Sequence, residues 1–288
     1  MALLKIGDTV TLIGCSNPQA LDYKPKIDEL IHVLESFGLK VMVSPCIYER
    51  EDGFNGSAKE KAKVLMDAYK ASDIRAIFDL SGGDLANEVL GELDYEVFKT
   101  YPYKPIFGYS DVTTVLNGLY AKANLATYLY QIRFLIGPYG ELQKERFRKS
   151  LFEDQEDLFN LDYHFVQGDT LEGEVVGGNI RCLLKLAGTP YMPNFKDKVL
   201  LLESYSGGIM QMSTYLNQYK QLGIFKQIKG IILGKYTMME ADQLKPTIEE
   251  LVLKIVDDPN MPIVKTGDIG HNMDAKCIKI GQKIYFKV

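Results

Sequence analysis

Lys104-Pro-Ile-Phe-Gly-Tyr-Ser-Asp-Val-Thr-Thr-Val-Leu116 compresses a short apolar strand, a sharp turn and the start of a helix into one segment. A serine at such a junction is lifted out of the sheet and held at the positive end of a helix, where its hydroxyl can attack a carbonyl. Taken alone, the segment reads first as a helix cap, with Ser110 or Asp111 accepting a backbone N–H. The surrounding chain shifts the balance. Upstream, Thr9-Val-Thr-Leu-Ile-Gly14, Leu39-Lys-Val-Met-Val43 and Arg75-Ala-Ile-Phe-Asp-Leu80 are short apolar runs that end in turn residues. Between the first two, Ile27, Leu30, Ile31, Leu34 and Phe37 follow helical spacing, with Gly38 as the stop. Ser57 and Glu60 form a capping box ahead of a helix carrying Leu65, Met66 and Tyr69. Asp84 to Leu93 reads as a further short helix. Alternating strands and helices predict right-handed βαβ units and a mostly parallel sheet, with ligands bound beyond the strand C-termini.

After about residue 137 the pattern loosens, and 141–168 reads as a connector with helical stretches. A second series starts near Gly168: strands at Leu171–Val176, Lys198–Glu203 and Lys229–Gly234, and helices after Gly177-Gly-Asn179, at Met210–Leu222 and at Thr247–Val256. Pro262–Val264 follows, and Cys277–Ile280 with Lys283–Phe286 read as a final hairpin. The expected organisation is an α/β domain over 1–166 that bears the nucleophile, and a smaller α/β domain over 167–288.

The 288 residues are 46% hydrophobic and 25% charged, which is ample for a buried core. A net charge of -5 argues against a nucleic-acid partner. No apolar run reaches the length of a membrane span or resembles a secretory leader, so the chain reads as cytoplasmic with no membrane partner. Cys15, Cys46, Cys182 and Cys277 lack zinc or disulfide-scaffold spacing and read as buried free thiols.

Three histidines can be weighed singly. His32 falls on an amphipathic helix and His164 in the connector. His271 lies in Gly267-Asp-Ile-Gly-His-Asn-Met-Asp274, a Gly-rich loop suited to a general base. Glu203 ends the apolar run Val199–Leu202, where a carboxylate needs a partner such as an imidazole. Ser110, Glu203 and His271 thus form a candidate triad, in the chain order of α/β-hydrolases but without their G-x-S-x-G elbow, since Val112 replaces the last glycine. Gly82 and Gly83 end a strand and, with the amide of Asp111, could supply N–H donors to an oxyanion.

The stretches Ser81-Gly-Gly-Asp-Leu-Ala-Asn-Glu-Val-Leu-Gly-Glu-Leu-Asp-Tyr95 and Pro105-Ile-Phe-Gly-Tyr-Ser-Asp-Val-Thr114 resemble the LD-carboxypeptidase family of serine peptidases, in its microcin C self-immunity branch. Gly177-Gly-Asn179, Gly188-Thr-Pro-Tyr191, Val199–Glu203 and Gly270-His271 follow in family order. The resemblance implies an N-terminal domain like class I glutamine amidotransferases, a cytoplasmic homodimer, and no metal or organic cofactor. It puts Ser110 as nucleophile, Glu203 as acid, His271 as base, Gly83 and Asp111 amides at the oxyanion, and Gly82 and Asn179 at the substrate. It implies one of two activities: removal of the terminal D-alanine from murein tetrapeptide, or cleavage of the amide in a peptidyl-nucleotide toxin. Thr127–Arg133 and Ser204–Gly208 depart from the family pattern where substrate is expected; Arg133 and Arg181 are candidate partners for a substrate carboxylate. A sequestering protein that uses the same cleft without turnover is the rival reading, and intact triad positions argue against it.

Overall fold

The computed structural model describes residues 2–288. In the first half, β1 (Thr9–Ile13), α1 (Lys24–Ser36), β2 (Lys40–Val43), α2 (Ala58–Lys70), β3 (Ile74–Asp79), α3 (Tyr95–Thr100), β4 (Ile106–Gly108), α4 (Thr113–Ala123), β5 (Thr127–Leu129) and α5 (Gly140–Phe152) succeed one another. The five strands lie parallel in the order β2-β1-β3-β4-β5. Each element follows from local chemistry. Ile27, Leu30 and Leu34 give α1 its buried stripe, and the Ser57–Glu60 box opens α2, with both reciprocal bonds made. Phe78, Phe107 and Tyr128 stack across β3, β4 and β5 at 4.6 and 4.5 Å between ring centroids. The chain winds outward from β1 to β2 and then restarts on the other side at β3. The loops after β1 and β3 therefore diverge, and this switch point opens a crevice at the strand C-termini.

The second half runs β6 (His164–Gln167), β7 (Thr170–Asn179), α6 (Ile180–Leu184), β8 (Lys198–Ser204), α7 (Ile209–Gln221), β9 (Gly230–Tyr236), α8 (Thr237–Ala241), α9 (Ile248–Val256), β10 (Ile263–Lys265), β11 (Ile278–Ile280) and β12 (Lys283–Lys287). Here β7-β8-β9-β10 are parallel, flanked by antiparallel β12 and β6. The molecule is a two-domain α/β protein, as its alternating pattern indicated.

Three sequence expectations change. Cys277–Ile280 and Lys283–Phe286 are not a hairpin: β11 pairs antiparallel with β5 in the first sheet, while β12 pairs with β7 in the second. The segment Thr127–Arg133 is not a substrate loop, because Thr127–Leu129 is a buried strand and Tyr130 and Gln131 are buried after it. The connector ends in β6, which pairs with β10, so the expected boundary at 166 falls inside a strand of the second sheet. The cause is the same in each case: strands of three or four residues are too short to show a period, and their partners are distant in sequence.

The sheets meet through α4. Asn117 donates from Nδ2 to the Gly177 carbonyl and accepts the Gly177 N–H at Oδ1, both at 2.9 Å. Thr113 Oγ1 accepts the Asn179 N–H at 3.1 Å. Gly177 has φ +119, and a Cβ there would lie 2.2 Å from the Leu201 carbonyl oxygen, so only glycine admits this register.

Candidate active site

Ser110 follows β4 after one residue, with φ +53, in the left-handed region that L-residues avoid at a cost of roughly 1–2 kcal/mol. One turn of 3-10 helix, 110–112, then leads into α4. The cap reading fails: neither the Ser110 hydroxyl nor the Asp111 carboxylate accepts a backbone N–H from the helix it precedes. The Ser110 hydroxyl, half-buried, has no hydrogen-bond partner among the described residues. Strain at an otherwise uncommitted serine makes it a candidate for chemistry.

The Asp111 side chain, fully buried, ties the elbow down. Its Oδ2 accepts from Ser16 Oγ at 2.6 Å and from the Ala86 N–H at 2.8 Å, and Oδ1 accepts from Lys185 Nζ. Asp79, at the end of β3, organises the neighbouring loop by accepting the N–H groups of Cys15 (2.9 Å) and Ser81 (2.8 Å) together with the Ser81 hydroxyl. Burial pushes the Asp79 carboxyl up, and those bonds oppose the push. Ser81 Oγ in turn accepts the Ser16 N–H.

Gly83 has φ +128, and a Cβ on it would strike Asn17 Cγ at 2.2 Å. Gly82 lies against the nucleophile candidate, its virtual Cβ 3.8 Å from Ser110 Oγ. The N–H groups of Gly82, Gly83 and Asp111 donate to no acceptor among the described residues. Free amides beside a serine hydroxyl can receive the negative oxygen of a tetrahedral intermediate.

Glu203 and His271 are brought together. His271 Nδ1 lies 2.8 Å from Glu203 Oε2, with the carboxylate fully buried. A carboxylate has no proton to give, so Nδ1 carries the hydrogen and Nε2 keeps its lone pair for a base's work. The imidazole is sandwiched: the Tyr109 ring lies 4.6 Å away and the Tyr205 ring 5.1 Å, between centroids. Tyr109 directly precedes Ser110, so the imidazole packs on the ring of the residue next to the serine. No hydrogen bond joins their side chains here; such contacts commonly tighten only around substrate. Burial, with Glu203 close by, pushes the Tyr109 phenol far above its usual range, so it stays neutral.

The other expected residues take different places. Asn179 supports the pair from behind: Nδ2 donates to Glu203 Oε1 at 3.0 Å, and Oδ1 accepts the Cys182 N–H, which starts α6. Arg181 is paired with Asp84 and donates to the Gly83 carbonyl at 3.1 Å. Arg133 donates to Gln19 at 3.0 Å. In the other departing segment, Tyr205 is 59% exposed and leads to Gly208 at the start of α7. His32 is exposed beside Glu35, and all four cysteines are free and buried. Lys185, Ser16 and Asn117 escaped the sequence reading. Lys185 alone left a trace, standing four residues after Arg181 on one helical face.

These features define a class: a two-domain α/β enzyme with a strained serine at the junction of two sheets. Residues 10–130 match the LD-carboxypeptidase N-terminal domain and residues 172–286 the LD-carboxypeptidase C-terminal domain. The chain belongs to the LD-carboxypeptidase family of serine peptidases and is a carboxypeptidase-type hydrolase. It is 25% identical to the microcin C7 self-immunity protein MccF of Escherichia coli, over 98% of this chain and 91% of that protein. It is 24% identical to a probable murein peptide carboxypeptidase of Bacillus subtilis, over 97% and 89%. A solved structure of MccF in complex with aspartyl sulfamoyl adenosine superposes with a TM-score of 0.88 at 24% identity, covering 99% of this chain and 95% of that one. That likeness carries the fold.

Proposed function

We propose that this protein hydrolyses an amide through an acyl-enzyme on Ser110. His271 Nε2 takes the hydroxyl proton as Oγ attacks the carbonyl, and later returns it to the leaving amine. Glu203 fixes the imidazole's tautomer and stabilises its cation. The amides of Gly83 and Asp111 receive the oxyanion. Water then attacks the ester, with His271 again as base. The observation that carries this reading is the 2.8 Å His271–Glu203 pair, packed on the Tyr109 ring, with the next residue a left-handed serine whose hydroxyl is otherwise uncommitted.

The substrate is a murein tetrapeptide that loses its terminal D-alanine. The murein peptide carboxypeptidase relative supports this assignment. A second reading is cleavage of an aminoacyl-nucleotide amide. It is favoured by the MccF relative, an immunity protein against microcin C7, which matches along 98% of the chain. Two parallel digests followed by mass spectrometry test both: murein tetrapeptide in one, an aminoacyl-nucleotide phosphoramidate in the other. Release of D-alanine supports the first reading, and release of the amino acid from the nucleotide supports the second. Ser110→Ala is expected to abolish turnover with its thermal melt unchanged. Undiminished hydrolysis by that variant would sink the acyl-enzyme.

A further inference from the structure

The donor loop and the serine elbow both belong to the first domain, yet their nearest cationic partners come from the second. Lys185, at the end of α6, donates to the Asp111 carboxylate and to the Asp84 carbonyl at 2.9 Å. Arg181, one turn earlier, pairs with the Asp84 carboxylate and donates to the Gly83 carbonyl at 3.1 Å. The two side chains therefore grip the residues on either side of the reacting carbonyl's expected place: Gly83 and Asp84 on one side, Asp111 on the other. Asp111 is fully buried, and among the described residues Lys185 supplies the one ion pair its carboxylate makes. The arrangement is directional. The 83–84 peptide unit is held at both ends, its carbonyl by Arg181 and its N–H by Asn17 Oδ1 at 2.8 Å, while the Gly83 N–H has no acceptor among the described residues.

We propose that Lys185 is a positioning residue which, with Arg181, sets the spacing between the Gly83 and Asp111 amides from across the domain junction. Neither side chain touches the reacting atoms. Their effect is exerted on two donors whose aim decides how well the oxyanion is held. The catalytic machinery is then complete only when α6 is docked against the first domain. This inference rests on the acyl-enzyme reading.

The test is the rate at which an alkyl fluorophosphonate modifies Ser110 in the full chain, followed by mass spectrometry and set beside a thermal melt. Phosphonylation needs the same oxyanion donors. In Lys185→Met the rate constant at saturating probe is expected to fall about tenfold or more, since loss of one donor alone commonly costs 10²–10³. The half-saturating concentration stays the same, and Lys185→Arg recovers most of the rate. A purely structural lysine would lower the folded fraction and leave the rate per folded molecule untouched, and that result overturns the proposal. Lys185→Met strands a buried carboxylate, so Asp111→Asn combined with Lys185→Met serves as the second variant; it removes both charges together. That pair is expected to fold and still label slowly, and labelling at the wild-type rate would overturn the proposal. Wild-type protein that never labels at Ser110 defeats the acyl-enzyme reading and this inference with it. Wild-type labelling with an unslowed variant defeats this inference alone.

Discussion

Glu203 is sealed from solvent yet receives two hydrogen bonds, from His271 at Oε2 and from Asn179 at Oε1. Replacing it with glutamine keeps the shape and inverts the logic, because an amide can donate to Nδ1 and force the proton onto Nε2. Glu203→Gln is therefore expected to lower kcat roughly 10³–10⁴-fold in the tetrapeptide or phosphoramidate digest, with KM little changed. Retained kcat would show that the tautomer does not matter. The three candidate triad positions are legible because each breaks a local rule: a serine on a tight turn, an acid ending an apolar strand, a histidine among glycines. The bond from Asn179 to Glu203 is not legible in the same way. The two residues are neighbours only in the register of β7 against β8, which no single segment encodes.

At the scale of elements, local signals carried furthest. The Ser57–Glu60 box was visible in four residues and is formed. The Ser57 amide, then Arg50, then the Ser57 hydroxyl hold the Glu60 carboxyl down at about 2, below its ordinary 4.5. A depressed acid stabilises the fold fully above its unfolded value, and that contribution is lost as pH falls through the folded one. The start of α2 is thus expected to loosen between pH 4.5 and about 2. The Ser57 amide proton shift should follow this titration, and Glu60→Gln should flatten it; a midpoint near the ordinary value would refute the box. By contrast, β5, β6 and β11 have three or four residues each, and their existence depends on partners far along the chain. The edge pairings of both sheets were hidden for that reason, while the parallel centres were plain.

Across the whole molecule, the Asn117–Gly177 exchange is a miniature sheet pairing between helix and strand. Asn117→Ala leaves the buried Gly177 N–H and C=O unpaired, an expected loss of about 1–3 kcal/mol. Denaturant titration should show a lower midpoint with an unchanged slope if the domains still unfold together. A second, separate transition would instead show that this contact is what couples them. The crossing of β11 into the first sheet has its own consequence, in the order of synthesis. A chain leaving the ribosome carries the β5 edge open until residues 278–280 arrive, after nearly all of the second domain has been made. The serine's sheet cannot close early. An open strand edge recruits other chains, so the growing polypeptide depends on timely completion, or on a chaperone's cover, to reach the native state without aggregating.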